Sequence, residues 1–235
     1  MIIGNGLIAQ SFRPHFEKNE DVILFASGVS NSKMTLESEY LKEKILLQNA
    51  LQQDKLLIYF STCSIFDPAL KNSRYILHKL EMESWIEKND KYLIIRLPNV
   101  VGKIGNPNTM FNFFINQIRN NANIQVAKNA TRYIIDVDDV VYWTAELVKA
   151  NFNNHIINVA FPNKLSVISI IETIEAFLNT KANVTLIEQG EEYEIDLTLF
   201  NDFIYKKMPN FCMSSNYINE IIEKYYTESL TCIKA

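Results

Sequence analysis

Glycine, proline and cysteine are all scarce in this sequence. Its 235 residues include six glycines, six prolines and three cysteines. Cys63, Cys212 and Cys232 are an odd number and lack the spacing of metal ligands, which argues against a disulfide framework and predicts no metal site. No histidine lies close to Cys63 in the sequence, so the pattern does not favour a nucleophilic cysteine.

Long apolar runs and an excess of positive charge are also missing. The net charge is −4, and lysine and arginine are scattered, which predicts no nucleic-acid partner. The first residues, MIIGNGLIAQSF, contain neither a basic leader nor a membrane-length apolar segment. We therefore expect a cytoplasmic protein without a membrane partner. The length and the hydrophobic fraction of 48% suit one sizeable core, or one domain with a smaller lobe.

A tyrosine and a lysine one helical turn apart are the most informative residues present. The segment Ile58 to Lys79 runs from a β-branched and aromatic strand, which ends at Thr62, into a helix that carries Tyr75 and Lys79. At this spacing both side chains lie on one helix face, where an ammonium favours the phenolate form of a phenol. With the Thr62 hydroxyl, they could donate a proton to a carbonyl oxygen or accept one from an alcohol, as hydride chemistry requires.

A glycine pattern follows a very short apolar strand at the amino terminus. Gly4-Asn5-Gly6-Leu7-Ile8-Ala9 matches Gly-x-Gly-x-x-(Gly/Ala), in which the first glycine permits a tight turn and the second lets a pyrophosphate approach the backbone. The amides at the start of the next helix would bind the phosphates. The pattern therefore predicts a dinucleotide site.

Buried strands alternate with helices through the first hundred residues. Residues 21–27, 55–61 and 92–97 are apolar runs typical of parallel strands. The helix from about Thr35 is expected to turn its charged residues to solvent and to face the sheet with Leu36, Tyr40, Leu41, Ile45 and Leu51. These features predict an α/β fold with a parallel sheet and helices on both faces.

Six segments occur in the order found in a known enzyme family. They are GNGLIA, FASGVSNS, YFSTCSIF, the Tyr75-to-Lys79 helix, RLPNVVG and TRYIIDVDDV. Over nearly its whole length the chain resembles the extended short-chain dehydrogenase/reductase family, especially its nucleotide-sugar epimerase, dehydratase and reductase branch. The resemblance implies a Rossmann-like core at residues 1–102 and 134–160, and a small substrate lobe at 103–133 and 161–235.

The resemblance also implies roles for individual residues. Tyr75 would be the general acid/base, Lys79 would hold the nicotinamide ribose, and Thr62 would bind the reacting oxygen. The implied cofactor residues, besides Tyr75 and Lys79, are Gly4, Asn5, Gly6, Leu7, Ile8, Ser27, Gly28 and Pro98. The implied substrate residues, besides Thr62, are Ser30, Asn99 and Arg132. This interpretation requires the Lys79 ammonium to face Tyr75 and the cofactor, and an ammonium engaged elsewhere would contradict it.

The sequence departs from the family pattern between Gly4 and Thr62. This stretch has room for three strands and two helices, whereas the family normally places two further strands there. The sheet is therefore expected to have fewer strands, with the first strand at its edge. The residue that would distinguish NAD from NADP is missing as well, so both cofactors remain open.

A second departure bears on the reaction. The loop between Thr62 and Tyr75 is short, and Cys63-Ser64 stands where dehydratases typically have an Asp-Glu pair. We therefore expect an NAD(P)-dependent reductase of a nucleotide-linked keto-deoxysugar, serving surface polysaccharide synthesis. A sugar epimerase is the first alternative, and a non-catalytic dinucleotide sensor or partner subunit is the second. The resemblance implies a possible homodimer.

Overall fold

A five-stranded parallel sheet forms the centre of the molecule. The computed structural model describes residues 1–103, 109–188, 190 and 192–227. The strand order is β1-β2-β3-β4-β9, and every neighbouring pair is parallel. The strands are β1 (Ile2–Ile3), β2 (Val22–Phe25), β3 (Leu56–Thr62), β4 (Tyr92–Leu97) and β9 (His155–Asn158). β1 lies at one edge of this sheet, as the sequence predicts.

Helices cover both faces of the central sheet. They are α1 (Leu7–Phe16), α2 (Glu37–Leu51), α3 (Arg74–Ile86) and α5 (Val137–Lys149). Alternate residues of a strand point to opposite faces. On one face Leu24 and Ile58 pack in the cluster that includes α1 and α5, while on the other Ile23 and Tyr59 pack with α2 and α3. The predicted fold class is therefore confirmed.

The buried face of α2 differs from the expected one. Tyr40 is buried as predicted, but Leu36, Leu41 and Ile45 are 60%, 58% and 49% exposed. The inward face carries instead the charged residue Glu43, which is 2% exposed. The predicted face was wrong because it included Leu41 and Ile45, left out Leu47 and Ala50, which are 0% and 1% exposed, and placed every charge in solvent.

The remaining described residues add three small strand pairs and four α-helices. β5 (Asn99–Val101) pairs with β8 (Ile134–Asp136), β6 (Asn123–Ala127) with β11 (Asn183–Ile187), and β7 (Thr131–Arg132) with β10 (Leu165–Ser166). The helices are α4 (Met110–Arg119), α6 (Val167–Leu178), α7 (Thr198–Lys207) and α8 (Tyr217–Tyr226). None of the helices in the described ranges has the length and apolar character needed to cross a bilayer.

A second hydrophobic cluster joins several of these elements. It contains side chains from α4, α6, β6 and α8, whereas α7 packs with the central sheet through Phe200 and Phe203. The proposed division into a core and a lobe stays a prediction. Residues 104–108, 189, 191 and 228–235 of the predicted lobe lie outside the described residues.

Candidate functional site

The glycine turn between β1 and α1 is shaped for the approach of an anion. Gly4 has φ +128°, and a Cβ atom there would lie 2.4 Å from the Ala26 carbonyl oxygen, so only glycine fits without strain. A Cβ atom at Gly6 would have no atom within 4 Å, so the space beside the turn is open. No side chain caps α1, and no acidic residue lies in its first turn. Its first amides therefore have no competing carboxylate there.

Side chains of α1 fix this turn in place. Gln10 donates a hydrogen bond to the Asn5 carbonyl oxygen at 2.8 Å, and Arg13 donates one to the Asn5 side chain at 3.0 Å. Leu7 lies close to Gly102, where a Cβ atom would come within 2.6 Å of its Cδ1 atom. The turn therefore sits between the end of β2 and the segment that follows β5.

The loop after β2 lies between the glycine turn and the helix that carries Tyr75. Ser27 is partly buried, and Gly28 and Ser30 are exposed. A Cβ atom at Gly28 would lie 2.7 Å from Lys79 Nζ and 2.6 Å from Glu43 Oε1. Two predicted cofactor segments, the glycine turn and the Lys79 helix, are thus brought together through this loop.

Thr62 and Tyr75 lie at the carboxyl end of β3 and the amino end of α3. Thr62 is 7% exposed, and its Oγ1 atom accepts a hydrogen bond from the Ser64 amide at 3.0 Å. Ser73 caps α3, and Tyr75 in its first turn is also 7% exposed. The Tyr75 ring packs in a small cluster that includes Val29 of the loop after β2. That their hydroxyls act on one substrate oxygen stays a prediction.

The Lys79 ammonium is bound by groups other than Tyr75. It donates hydrogen bonds to Glu43 Oε1 at 2.9 Å and to the Tyr59 hydroxyl at 3.1 Å. In the described part of the chain, no hydrogen bond joins it to Tyr75. The interpretation of the sequence required the Lys79 ammonium to face Tyr75 and the cofactor and not to be engaged elsewhere. The structure does not meet this condition. An ammonium has three N–H donors, and these two bonds use two of them.

Pro98, Asn99 and Arg132 lie at the other side of the site. Pro98 and Asn99 follow the carboxyl end of β4, and the Asn99 side chain donates to the Tyr133 carbonyl oxygen at 3.0 Å. Arg132 Nη1 donates to the Thr131 carbonyl oxygen at 2.7 Å and lies 3.9 Å from the Asp67 carboxylate. The Arg132 side chain is 31% exposed, so its guanidinium can still reach a ligand.

Cys63 is unsuited to be a nucleophile. Its side chain is fully buried, and its Sγ atom donates to the Arg96 carbonyl oxygen at 3.3 Å. Burial raises the pKa of the Cys63 thiol well above its usual range, although the Arg96 charge opposes this. The thiol is therefore protonated near neutral pH.

Sequence reasoning missed a buried charge cluster around Lys79. Glu43 of α2 accepts hydrogen bonds from Tyr59, His78 and the Val29 amide at 2.7, 3.0 and 2.8 Å. Burial alone would raise the pKa of Glu43, but the Lys79 charge and the hydrogen bonds from His78, Lys79 and Tyr59 outweigh it and lower the pKa to about 2. Glu43 is therefore a carboxylate at any working pH.

A second buried ion pair lies one turn farther along α3. Glu83, which is 3% exposed, accepts from Arg96 Nε at 3.0 Å and from the Ser61 hydroxyl at 2.5 Å. It links α3 to β3 and β4 but does not touch the loop after β2. Its place indicates a structural role.

The residues at the glycine turn and around Lys79 fit the binding of a dinucleotide. The turn at Gly4 and Gly6 suits a pyrophosphate, because Gly4 permits the tight turn and a side chain at Gly6 would fill the open space beside it. The remaining N–H of Lys79 lies beside Gly28, where a ribose hydroxyl could accept it. On the adenosine side, the described residues place no further strand beyond β1.

The sequence matches one family profile over most of the central sheet. The profile describes the NAD dependent epimerase/dehydratase family and matches residues 21–160, which is more than half of the chain. The match starts after the glycine turn. No curated protein matches the sequence significantly.

Several solved structures share the fold at low sequence identity. The dTDP-glucose 4,6-dehydratase of Bacillus anthracis, solved with NAD, has a TM-score of 0.70 and 13% identity over 90% of this chain and 74% of that one. The UDP-N-acetylglucosamine 4-epimerase of Methanobrevibacter ruminantium M1 gives 0.68 and 15% over 96% and 81%. Pal from Bacillus thuringiensis gives 0.69 and 19% over 97% and 80%. At these identities the likeness shows the fold.

Proposed function

The chain belongs to the NAD dependent epimerase/dehydratase family of short-chain dehydrogenase/reductase enzymes, and from this premise we propose that it is a reductase of nucleotide-linked keto-deoxysugars. Its product would serve surface polysaccharide synthesis. Solved structures of the same fold include a dTDP-glucose dehydratase and a UDP-sugar epimerase, which supports a nucleotide sugar as the substrate class. The observation that carries the proposal is the line of groups from the glycine turn through Gly28 to Lys79.

The chain's own residues supply the proton and the orientation. A bound reduced nicotinamide dinucleotide supplies hydride to the carbonyl carbon. Tyr75 donates its phenolic proton to the carbonyl oxygen, which becomes the hydroxyl of the product. Thr62 donates a hydrogen bond to the same oxygen, since its Oγ1 already accepts one from Ser64 and its own O–H stays available.

The edge position of β1 favours reduction over epimerisation. An epimerase returns the hydride it removes and can keep one dinucleotide bound through many turnovers. A reductase must release the oxidised dinucleotide and bind a reduced one in each turnover. Because no described strand lies beyond β1, the adenosine half of the cofactor would be held by few groups and would exchange readily.

Arg132 is proposed to bind the diphosphate of the substrate. A guanidinium forms two parallel hydrogen bonds with a phosphate, which a lysine cannot. The Asp67 carboxylate lies 3.9 Å from the Arg132 Nη1 atom, beyond hydrogen-bond distance. Within the described ranges, Arg132 is therefore positioned without a close ion pair.

Cofactor turnover with a defined sugar tests the proposal. The protein would be mixed with NADH or NADPH and a nucleoside diphosphate-linked 4-keto-6-deoxysugar, and absorbance at the nicotinamide band would be followed. We expect stoichiometric oxidation of the cofactor with conversion of the keto group of the nucleotide-linked sugar to a hydroxyl, and the family favours NADH. Altered sugar stereochemistry without net oxidation would instead identify an epimerase. Dinucleotide binding without either change would identify a sensor.

The outer faces of α2 and α3 support the proposal of a homodimer. The two helices pack side by side, and each carries apolar residues turned to solvent. Leu41 is 58% exposed, Leu77 is 53% exposed and Leu80 is 40% exposed. Apolar side chains clustered on one surface are typical of protein interfaces. A second copy can bury them by a twofold contact of the same faces.

Charge placed on this surface should separate the dimer. We expect the unaltered protein to elute with twice its chain mass of 27.2 kDa. Leu41→Lys should shift it to a single chain mass by light scattering, because like charges would meet across the twofold axis. Leu199→Lys is the matched control, since Leu199 is an exposed leucine as well, at 41%, but lies on α7. A Leu41→Lys protein that remains dimeric would contradict this assembly.

A further inference from the structure

The buried Glu43 carboxylate joins two segments that the proposed cofactor must contact together. We propose that Glu43 is a positioning residue, which fixes the Lys79 ammonium and the loop after β2 in one arrangement before the dinucleotide binds. This inference rests on the function proposed above. It adds a residue of α2, outside the glycine turn and the Tyr75 helix, to the set that determines cofactor affinity.

Each oxygen of the carboxylate has a separate task. Oε1 accepts from Lys79 at 2.9 Å and from Tyr59 at 2.7 Å, which holds the ammonium against the sheet. Oε2 accepts from the Val29 amide at 2.8 Å, which holds the backbone of the loop. His78 also donates to Oε2 at 3.0 Å. One side chain therefore links α2, α3, β3 and the loop.

The position of Gly28 shows how tightly loop and cluster are packed. A Cβ atom at this residue would come within 2.6 Å of Glu43 and 2.7 Å of Lys79. The backbone of the loop at Gly28 therefore packs directly against the ammonium. Because Glu43 and Tyr59 take two of the three Lys79 donors, the direction of the third is fixed.

The charges of the cluster explain why a carboxylate is required. Lys79 and Glu43 are 4% and 2% exposed, so an unpaired charge on either would be costly. His78 is fully buried, and its Nδ1 atom has no hydrogen-bond partner in the described part of the chain. Its Nε2 must carry the proton that Glu43 accepts, because an ionised carboxylate has no proton to donate.

The pair of Glu83 and Arg96 serves as a comparison, because Glu83 lies on the same helix as Lys79 but has a structural role. Glu83 and Arg96 are joined as closely as Glu43 and Lys79, but in the described part of the chain the Glu83 carboxylate accepts from Ser61 of β3 and Arg96 of β4. Glu43 differs because its partners include the loop amide and the ammonium that lie along the proposed ligand path. Its substitution should therefore change ligand affinity as well as stability.

Binding of NADH and NADPH to Glu43→Gln tests the proposal by calorimetry. The glutamine keeps the size of the side chain but loses the charge, and its NH2 group, which only donates, replaces one of the two acceptor oxygens. It therefore cannot accept hydrogen bonds from both Lys79 and Val29 in their present places. We expect the dissociation constant to rise about tenfold or more, since bonds to a charged group are lost. Glu37→Gln is the matched control. It lies on the same helix and pairs with Arg74 of α3, but its side chain is 72% exposed, and its affinity should be unchanged.

A rescue variant and amide exchange separate positioning from folding. Glu43→Asp keeps the charge and should restore part of the affinity and of kcat. In the unaltered protein, exchange of the Val29 amide with deuterium should be slow although Gly28 and Ser30 are exposed, and Glu43→Gln should accelerate it. The measurement on the unaltered protein needs neither a variant nor a cofactor, so it remains informative if Glu43→Gln folds poorly.

The results of these experiments distinguish failure of the positioning role from failure of the proposed reductase. Equal affinity and equal kcat in Glu43→Gln and the unaltered protein would overturn the positioning role, as would fast exchange at Val29 in the unaltered protein. If the unaltered protein binds neither NADH nor NADPH, the proposed reductase fails. Val29 exchange then decides by itself whether Glu43 holds the loop.

Discussion

Tyr75→Phe lowers kcat by roughly 10²–10⁴-fold, the usual contribution of a positioned general acid. The substitution removes only the hydroxyl, and the ring still fills its place in the cluster with Val29 and Tyr40. The melting temperature should therefore change little. The rate is measured by NADH or NADPH oxidation with the keto sugar, and stability by thermal unfolding of the same preparation.

Tyr205→Phe is the matched control for this experiment. Tyr205 lies on α7 and is 69% exposed, so loss of its hydroxyl should leave kcat unchanged. A Tyr75→Phe protein that turns over at the unaltered rate would remove Tyr75 from the chemistry. The proton would then have to come from another group, and the role assigned to α3 would be wrong.

Glu83→Ala should lower the free energy of unfolding by about 3–5 kcal/mol, as expected when one partner of a buried ion pair is removed. The Arg96 guanidinium, whose side chain is only 17% exposed, would lose its carboxylate, and the Ser61 hydroxyl would lose its acceptor. Urea denaturation followed by circular dichroism measures the change, with the slope of the transition expected to stay constant.

Glu81→Ala provides the comparison for this prediction. Glu81 lies on the same helix and pairs with Lys44, but its side chain is 36% exposed. A pair of this kind contributes about 0–1 kcal/mol. Equal losses in the two variants would mean that burial does not set the strength of the Glu83 pair.

The central sheet could be predicted from the sequence because its signals are local. Apolar runs bounded by polar residues define β2, β3 and β4, and the apolar run 92–97 coincides with β4. The edge position of β1 followed from the number of residues between Gly4 and Thr62. Such features need only the order and length of segments along the chain.

The Glu43 cluster could not be predicted because its contacts are distant in sequence. Glu43 lies in a helix with many charges, and its partners His78 and Lys79 follow 35 and 36 positions later. Nothing in the helix itself distinguishes this glutamate from Glu37 or Glu39. The error in the buried face of α2 has the same cause, since the exposed leucines look like core residues until their surroundings are known.

No helix is predicted above for the residues of α7, although their sequence holds a usable signal. Phe200, Phe203 and Ile204 are spaced by three and four positions, which is the periodicity of a helix with one buried face. All three are buried, and Phe200 and Phe203 pack edge to face against Trp143. The polar residues around these three positions make the short helical pattern hard to recognise in the sequence.

The helix α3 presents opposite sides to two different surroundings. Tyr75 and Lys79 point inward, while Leu77 and Leu80 point to solvent. Gaining or losing a single residue in this helix would turn everything beyond that point by about 100°. Loss of one residue before Tyr75 would place Ile76 and Leu80 at the inner positions of the phenol and the ammonium. It would place His78 and Glu81 at the outer positions of Leu77 and Leu80. A single substitution in this helix therefore affects one of the two surfaces, whereas a change in the length of the helix disrupts both at once.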